Sequence, residues 1–161
     1  MAMLVQIITP ILVVIASYAF GIATKKYEQR TKIYRERYDN LYIPFINWIV
    51  HSPLDWNSPG LYKPEIRGKL LNLLLDNSQY MGEKSGSTLK SLYNAHLELY
   101  EIDVNHNMNI SNVTAPSDYN NLFNEMSFYL LEESSQLASK LQLPDLAKNV
   151  VGLSDSEMTH V

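Results

Sequence analysis

The sequence opens with "LVQIITPILVVIASYAFGIATKKYEQRTKIYRERY" (residues 4–38), in which a charge-free run leads directly into a cluster of basic residues. No Asp, Glu, Lys or Arg occurs among the 24 residues from Met1 to Thr24. As a helix rising ~1.5 Å per residue, this run would extend about 36 Å, which exceeds the ~30 Å hydrocarbon core of a bilayer. Lipid offers the backbone no hydrogen-bond partner, so only a helix can cross it as a single segment. The run therefore predicts a transmembrane anchor at residues 1–24.

Two other interpretations of residues 1–24 are weaker. A cleaved signal peptide has basic residues before an apolar core of about 7–15 residues, whereas here no Lys or Arg precedes the run, and the run is longer. A buried helix of a soluble domain normally keeps a polar face, and the residues between Ile7 and Ile15 leave almost none. A retained anchor is favoured over both.

The basic cluster gives the anchor an orientation. Residues 25–37 carry a net charge of +4, and we call their six basic residues the basic collar: Lys25, Lys26, Arg30, Lys32, Arg35 and Arg37. Basic residues next to a membrane span favour the cytoplasmic side. We therefore expect a single-pass protein of the cell membrane, with its N-terminus outside and its domain in the cytoplasm. The simplest role for the collar is contact with the anionic headgroups of the lipid bilayer.

The composition narrows the classes of function. The 161-residue chain has no Cys, which excludes disulfides and thiolate metal sites. Subtracting the anchor leaves enough residues for one domain. Residues 38–161 carry a net charge of −8, and an acidic domain argues against direct binding of nucleic acid, which requires a broad positive surface.

Hydrophobic periodicity predicts an all-α fold, in which the transmembrane helix is followed by a small antiparallel bundle of about four helices. In the first helix after the anchor, Tyr27, Tyr34, Leu41 and Trp48 recur every seven residues, and Thr31, Tyr38 and Phe45 fill a second position of the repeat. The candidate face formed here, with Tyr42 added, we call the aromatic stripe: Tyr27, Tyr34, Tyr38, Leu41, Tyr42, Phe45 and Trp48. A core face of the same chain is the favoured interpretation of the stripe, and a docking surface for another membrane protein is the alternative. Pro44 is expected to bend this helix or to end it just before the proline.

The remaining elements follow from turn and capping residues. A Pro-rich loop is expected at 51–64, followed by a helix that starts at Pro64 and has Gly82 as its C-cap, with "EKSGS" (83–87) turning the chain. An Asn-rich loop at 103–118 separates a third helix from a fourth, which Ser117 or Asp118 caps and Pro144 stops. The predicted organisation is an anchor (1–24), a collar with the aromatic helix (25–50), a bundle (51–153) and a loose tail (154–161).

No pattern in the chain supports catalysis, a cofactor or a metal. Asp103, Asn105 and Asn107 imitate the start of a calcium loop, but Met108 replaces its glycine and Thr114 its final glutamate. The four histidines form no metal-binding pair, and His96 falls on an apolar stripe, where a packed, hydrogen-bonded core histidine is expected. Glu132 and Glu133 are adjacent, so they point in different directions on a helix and do not share a proton. We therefore expect a protein that is not an enzyme.

In outline, most of the chain resembles a known class of membrane proteins. The resemblance rests on "MLVQIITPILVVIASYAFGIAT" (3–24), the basic collar, "YRERYDNLYIPFINWI" (34–49) and "LLDNSQYMGEKSGSTLKSLY" (74–93). In this layout the chain is similar to prophage-encoded, membrane-anchored superinfection-exclusion proteins of temperate phages of lactic acid bacteria. No catalytic residue carries over from that family.

The resemblance implies a phage-resistance protein that lets other phages adsorb but blocks injection of their DNA. The implied partner is a host membrane protein or the injection machinery of the incoming phage. A homo-oligomer of the chain is a further open expectation. Two other functions stay open at this point. One is a membrane-tethered scaffold or regulator of a host envelope process. The other is a small membrane-active toxin or holin, which a single span and a large acidic domain disfavour.

Overall fold

The computed structural model describes residues 2–51, 59–105 and 114–150, with residues 2–12, 14 and 105 described by their backbone alone. The described residues contain no strand, which confirms the all-α prediction, with about five helices. The α-helices and the π-helical turn between the first two are α1 Ala2–Arg37, the π-turn Tyr38–Tyr42, α2 Ile43–His51, α3 Pro64–Asp76, α4 Glu83–Asn105 and α5 Ala115–Leu141. Short 3₁₀ turns lie at Pro59–Leu61 and Ser78–Tyr80, and 146–150 is helical.

The chain stays helical through Pro44, so it does not end before the proline. The π-turn Tyr38–Tyr42 immediately precedes α2, and the N–H of Ile43 donates to the carbonyl of Tyr38. Proline has no N–H, and its ring collides with the carbonyl four residues earlier in a regular α-helix. Widening the preceding turn to π geometry accommodates both effects. As a result, α1, the π-turn and α2 form one continuous helical segment.

Two helical segments run antiparallel to α5. Along the first segment, Tyr34 lies against Lys140, and Trp48 lies against Phe123. Helix α4 runs the opposite way to α5 as well, since Lys84 contacts Glu132 and His96 contacts Tyr119. Helix α5 is therefore the central element of the bundle. Its buried residues include Tyr119, Phe123, Met126, Leu130, Leu137 and Ala138.

One core joins all five helices. It contains the π-turn and α2 residues Tyr38, Leu41, Tyr42, Phe45 and Ile49, together with Leu70 and Leu74 of α3, and Leu92, Ala95 and Leu99 of α4. Each of these helices presents its apolar residues at three- and four-residue spacing, which is the pattern of a helix with one buried side. The aromatic helix and the later helices thus share a single hydrophobic core.

Several predicted boundaries are wrong by a few residues. Gly82 does not end α3, which stops at Asp76; it directly precedes α4, and "EKSGS" forms the first turns of that helix. Helix α5 begins at Ala115, two residues before Ser117, with Thr114 in the N-cap position. At its other end, Gln142 adopts a left-handed conformation (φ 56°), and the N–H of Leu143 donates to the carbonyl of Ala138. The helix therefore stops before Pro144.

Some expectations lie outside the described residues. These are the loop residues 52–58, the loop residues 106–113 with Met108 of the calcium-loop comparison, and 151–161 with the predicted tail. The charge-free run 1–24 falls largely on residues 1–12 and 14, whose side chains are outside the described part as well. Among the residues that the structure does describe, no helix is both long enough and apolar enough to cross a membrane.

Candidate functional site

The outer part of α1 packs against no other described element. From Ile15 to Arg30, every side chain of α1 is exposed, including Tyr18, Phe20, Ile22 and Tyr27. Phe20, in the charge-free run, is 75% exposed. Large apolar side chains on a helix are normally buried against a partner, whereas the charge-free residues 15–24 leave theirs exposed.

The basic collar divides into two groups. Lys25, Lys26 and Arg30 form no ion pair with any described residue, and they follow the apolar end of α1 directly. Further along, Lys32 and Arg35 make exposed pairs with Glu36 and Asp39, at 3.9 and 3.7 Å. Such surface pairs contribute little energy, so these five side chains remain available to an outside partner.

Arg37, the last collar residue, is part of the bundle. Its Nε donates to the carbonyl of Tyr80 at 2.8 Å, and its Nη2 donates to the hydroxyl of Tyr42 at 3.3 Å. Because those bonds fix the guanidinium against the domain, Arg37 differs in role from the exposed collar residues before it.

The aromatic stripe also divides along its length. Tyr27 is 66% exposed beside the collar, whereas the side chains from Tyr38 onward enter the core; Tyr38, Leu41, Tyr42 and Phe45 are buried, and Tyr34 and Trp48 are half-buried against them. Within the aromatic stripe, therefore, Tyr27 alone is exposed enough to contact a partner. Ile33, between Lys32 and Tyr34, is the other exposed apolar residue of segment 25–37.

Glu133 of α5 receives donors from two other elements. It accepts the hydroxyl of Tyr42 at 3.0 Å, the hydroxyl of Ser85 at 2.7 Å, and the backbone N–H groups of Gly82 and Ser85 at 3.1 and 3.3 Å. The first N–H groups of a helix lack intrahelical partners and lie at its positive end. Glu133 therefore caps α4 from a neighbouring helix. Burial, and next the charge of Glu133, raise the pKa of Tyr42 well above its usual range, so its hydroxyl keeps its proton and donates.

A hollow of about 270 Å³ adjoins this cap. Its lining is mainly charged, with Arg37, Lys84, Glu132, Glu133 and Lys140. Most of these charges already have partners, since Lys84 pairs with Glu132 at 2.9 Å and Glu133 holds the donors described above. The adjacent glutamates point to different partners, which confirms the prediction made for them. The hollow has the composition of a structural ion-pair network.

A second polar cluster surrounds Arg67 of α3. Arg67 is only 2% exposed; it pairs with Asp103 of α4 and donates to the carbonyls of Gly60 and Tyr62. The amide oxygen of Asn120 in turn accepts the N–H of Gly60 at 2.6 Å. The buried Arg67 thus connects α3, α4 and the 3₁₀ turn Pro59–Leu61. Asn120 attaches that turn to α5.

His96 lies beside this cluster and is buried, as predicted. Its ring packs against Tyr119, with the centroids 6.3 Å apart. Its Nδ1 has no hydrogen-bond partner among the described residues, so the predicted hydrogen bond is not found at that atom. Burial, and next the positive charge of Arg67, lower the pKa of His96, while Asp103 acts in the opposite direction. Burial also raises the pKa of Tyr119 to about 12.

Sequence reasoning did not identify Arg67 or Glu133 as connecting residues. The signal was present, because each interrupts an apolar stripe: Arg67 precedes Leu70, Leu71 and Leu74, and Glu133 lies between Leu130 and Leu137. A charge at such a position is buried or half-buried and requires a partner. Among the described residues, no group of three or more His, Asp or Glu side chains is placed to hold a metal ion.

Comparison with known proteins gives no match to any family model, curated protein or solved structure.

Proposed function

We propose that this protein is a membrane-anchored helical binding module that blocks the injection of infecting phage DNA through protein–protein contact at the membrane. The observation that carries the membrane part is the segment 15–24 of α1. Its apolar side chains are exposed, it forms the end of the charge-free run 1–24, and Lys25, Lys26 and Arg30, which form no ion pair with a described residue, follow directly. Lipid is the environment that favours such a helix, and its headgroups favour the basic residues.

The support for phage exclusion is the resemblance in layout to superinfection-exclusion proteins, together with the architecture of the domain. The two least exposed charge clusters of the bundle bind groups of the same chain: Glu133 accepts hydroxyl and backbone N–H donors, and Arg67 pairs with Asp103, which is the arrangement of a scaffold. Tethering to the membrane raises the effective concentration of a domain near its partner, so a weak contact becomes sufficient. The exposed Tyr27 and Ile33, among the collar cations, are the surface that we assign to a host membrane protein or phage injection protein.

The anchor is tested by fractionation of cells that express the full chain. The double variant Ile15→Lys/Phe20→Lys places two charges in the exposed apolar segment, and we expect it to leave the membrane fraction. Phe128→Lys of α5 is the matched control, because Phe128 is 64% exposed but lies in the bundle; it should stay with the membrane. An unaltered chain that appears in the soluble fraction would refute the anchor.

The orientation is tested with a single cysteine, because the chain has none of its own. Ser139 lies on the exposed side of α5, and we expect Ser139→Cys in intact cells to resist a thiol reagent that cannot cross membranes. Reaction before cell lysis would place the domain outside the cell.

The exclusion function is tested by phage challenge of a sensitive strain that expresses the full chain. Adsorption and intracellular phage DNA are measured separately during the first minutes. We expect normal adsorption without phage DNA in the cell. Normal injection and replication across a broad phage panel would contradict exclusion. A growth or cell-wall phenotype in uninfected cells would then favour a scaffold or regulator of an envelope process.

A further inference from the structure

Helix α4 carries a row of apolar side chains that the other described residues leave exposed. Four side chains form the row, with exposed fractions of 39, 41, 51 and 57%: Tyr93, Leu97, Tyr100 and Val104. Their spacing of four, three and four residues places them on one side of the helix. The side of α4 that faces the core, with Leu92 and Leu99, is a different one. We call the four exposed residues the α4 stripe.

The α4 stripe is long enough to form a contact surface. From Tyr93 to Val104 it advances eleven residues, or about 16 Å at ~1.5 Å per residue. A single exposed apolar residue is ordinary on a protein surface, whereas a contiguous patch marks a site of interaction. Alternating spacings of three and four residues are also the pattern by which one helix packs along another. The stripe therefore fits a helical partner.

Unpaired carboxylates border the C-terminal half of the α4 stripe. Glu101 lies four residues after Leu97 and three before Val104, so it neighbours both on the helix surface. Glu98 lies three residues before Glu101, farther round the same flank. Both glutamates are exposed, and neither forms an ion pair with a described residue. Their countercharges are left for a partner to supply.

The surroundings of the two glutamates are negative as well. The C-terminus of α4 is the negative end of its dipole, and its last turn contains no basic residue. Lys90 lies at the other end of the stripe, eleven residues before Glu101, which is too far to neutralise it. Residues 38–161 carry a net charge of −8. This half of the stripe therefore favours basic side chains in the partner.

We propose that the α4 stripe binds an amphipathic helix of a partner protein, with apolar side chains packed on the stripe and basic side chains beside Glu98 and Glu101. The tyrosine rings of the stripe provide broad apolar area, and their faces attract Lys and Arg. An antiparallel approach is favoured, because it places the positive N-terminal end of the partner helix at the C-terminus of α4. The surface is separate from the basic collar, and its tests have no phage readout.

Charge favours this occupant over a second copy of the chain. Helices α1 and α4 run the same way, so two copies in one membrane have parallel α4 helices. Such a pair places Lys90 at the level of the second Lys90, and it brings no basic residue of α4 to the level of Glu101. Two domains of net charge −8 also repel each other.

The first test asks whether the stripe is open in the full chain, held in nanodiscs of phosphatidylcholine. Leu97→Cys should react quickly with a thiol reagent, and Ala95→Cys, at a buried position of the same helix, should react slowly. Slow reaction of Leu97→Cys would show that the chain covers its own stripe and would overturn the proposal. So would disulfide dimers of Leu97→Cys in excess of those of the exposed Ser91→Cys, since they would identify a second copy as the occupant.

The second test measures binding of a fluorescent helical peptide with Leu at alternating spacings of three and four and Lys on its flanks. Leu97→Ser/Tyr100→Ser should weaken its binding to the full chain in the same nanodiscs about tenfold or more. Phe128→Ser is the matched control, because Phe128 is an exposed apolar residue of α5, and it should leave the affinity unchanged. Equal affinity for the wild-type chain and the double variant would refute the stripe as the binding surface.

The third test exchanges the charges. A peptide with Glu in place of Lys should bind the wild-type chain about tenfold more weakly than the Lys peptide, and Glu98→Lys/Glu101→Lys should reverse that preference. Reversal requires contact between the two glutamates and the peptide flank, since binding to the nanodisc itself is the same for both chains. A preference that stays the same in the variant would overturn the assignment of a basic partner helix.

Discussion

The two ends of α4 are attached to the bundle by opposite charges in unequal surroundings. At its N-terminus, the half-buried carboxylate of Glu133 accepts four donors. Toward its C-terminus, the guanidinium of Arg67 is almost completely buried and holds Asp103 and two backbone carbonyls. Both charges match the sign that the α4 dipole favours at that end. The two groups differ in burial, since the Glu133 carboxylate is half-buried and the Arg67 guanidinium is almost completely buried.

That difference determines what a mutation removes. A buried ion pair contributes little net stability relative to apolar residues, but breaking one partner leaves the other charge uncompensated. A half-buried acceptor of backbone N–H groups behaves more like a strong helix cap, whose removal exposes those donors. We therefore expect the Arg67 end to be the more sensitive to single substitutions and the Glu133 end to be the more sensitive to backbone geometry.

The largest effect is expected at Arg67. Arg67→Ala should lower the free energy of unfolding by about 3–5 kcal/mol, because it leaves a cavity at a buried position and removes the donor of the Gly60 and Tyr62 carbonyls, whereas the partly exposed Asp103 is hydrated. Denaturation of the full chain in micelles, followed by helical circular dichroism, measures the change. Arg35→Ala, which breaks only an exposed pair, should stay within about 0.5 kcal/mol.

A double substitution removes both charges and keeps the approximate volume of the site. Arg67→Met with Asp103→Leu should be markedly more stable than Arg67→Ala, because it fills the space that alanine leaves empty. If the double variant is no better than Arg67→Ala, the lost bonds to the carbonyls of Gly60 and Tyr62 outweigh the restored volume.

At the other end of α4, Glu133→Ala should cost about 2–4 kcal/mol, because it removes the acceptor for two backbone N–H groups and two hydroxyls. Glu132 provides a neighbouring control, since its only ion pair among the described residues is the exposed one with Lys84; Glu132→Ala should change stability by less than about 1 kcal/mol. Hydrogen exchange should show the loss first in the opening turn of α4. Equal losses for the two glutamates would mean that Glu133 does not cap the helix.

Substitutions at two glycines near the N-terminus of α4 distinguish a steric requirement for glycine from the effect of helix propensity. A Cβ at Gly82 would overlap the carboxylate of Glu133, whereas Gly86 has open space around it. Gly82→Ala should therefore destabilise the fold by about 1–2 kcal/mol, and Gly86→Ala, inside a helix, should stabilise it by about 0.5–1 kcal/mol. The same denaturation assay compares them. Stabilisation by both would show that Glu133 moves aside without losing its bonds.

Sequence periodicity predicts the helices of this fold, but it does not predict which residues contact each other between the helices. The stripes around Leu70 and Leu130 predict two of the helices, because local spacing alone decides which side is apolar. The π-turn before Pro44 was not predicted, since it depends on how the preceding turn adjusts to a missing donor. The boundary error at Gly82 has a similar origin, because the requirement for glycine there comes from Glu133, 51 residues away.

The same limit applies to the polar clusters. Sequence alone places Arg67, His96 and Glu133 on apolar stripes and so indicates burial, but their partners are distant; the hydroxyl of Tyr42 is 91 residues from Glu133. The candidate site is similar. The collar and the apolar run are local patterns, whereas the retention of Arg37 by the carbonyl of Tyr80 is a tertiary contact that only the structure reveals.

The smallest predicted effect is a pH dependence at the Arg67 end. His96 of α4 faces Arg67 of α3 and Tyr119 of α5, with Asp103 on its own helix as the opposing acid. Its pKa is lowered in the folded state, mainly by burial and then by Arg67, so the unfolded chain takes up the proton first as the pH falls. The stability contribution of His96 is therefore complete above its ordinary pKa of about 6.5 and is lost as the pH falls below that value.

We expect the difference in unfolding free energy between the wild-type chain and His96→Gln to shrink between pH 7.5 and about 5, as measured by denaturation at each pH. His51→Gln, at an exposed histidine of α2, should leave that profile unchanged. If His96→Gln and the wild-type chain lose stability in parallel, another group carries the acid sensitivity, and the cluster around Arg67 tolerates a second positive charge.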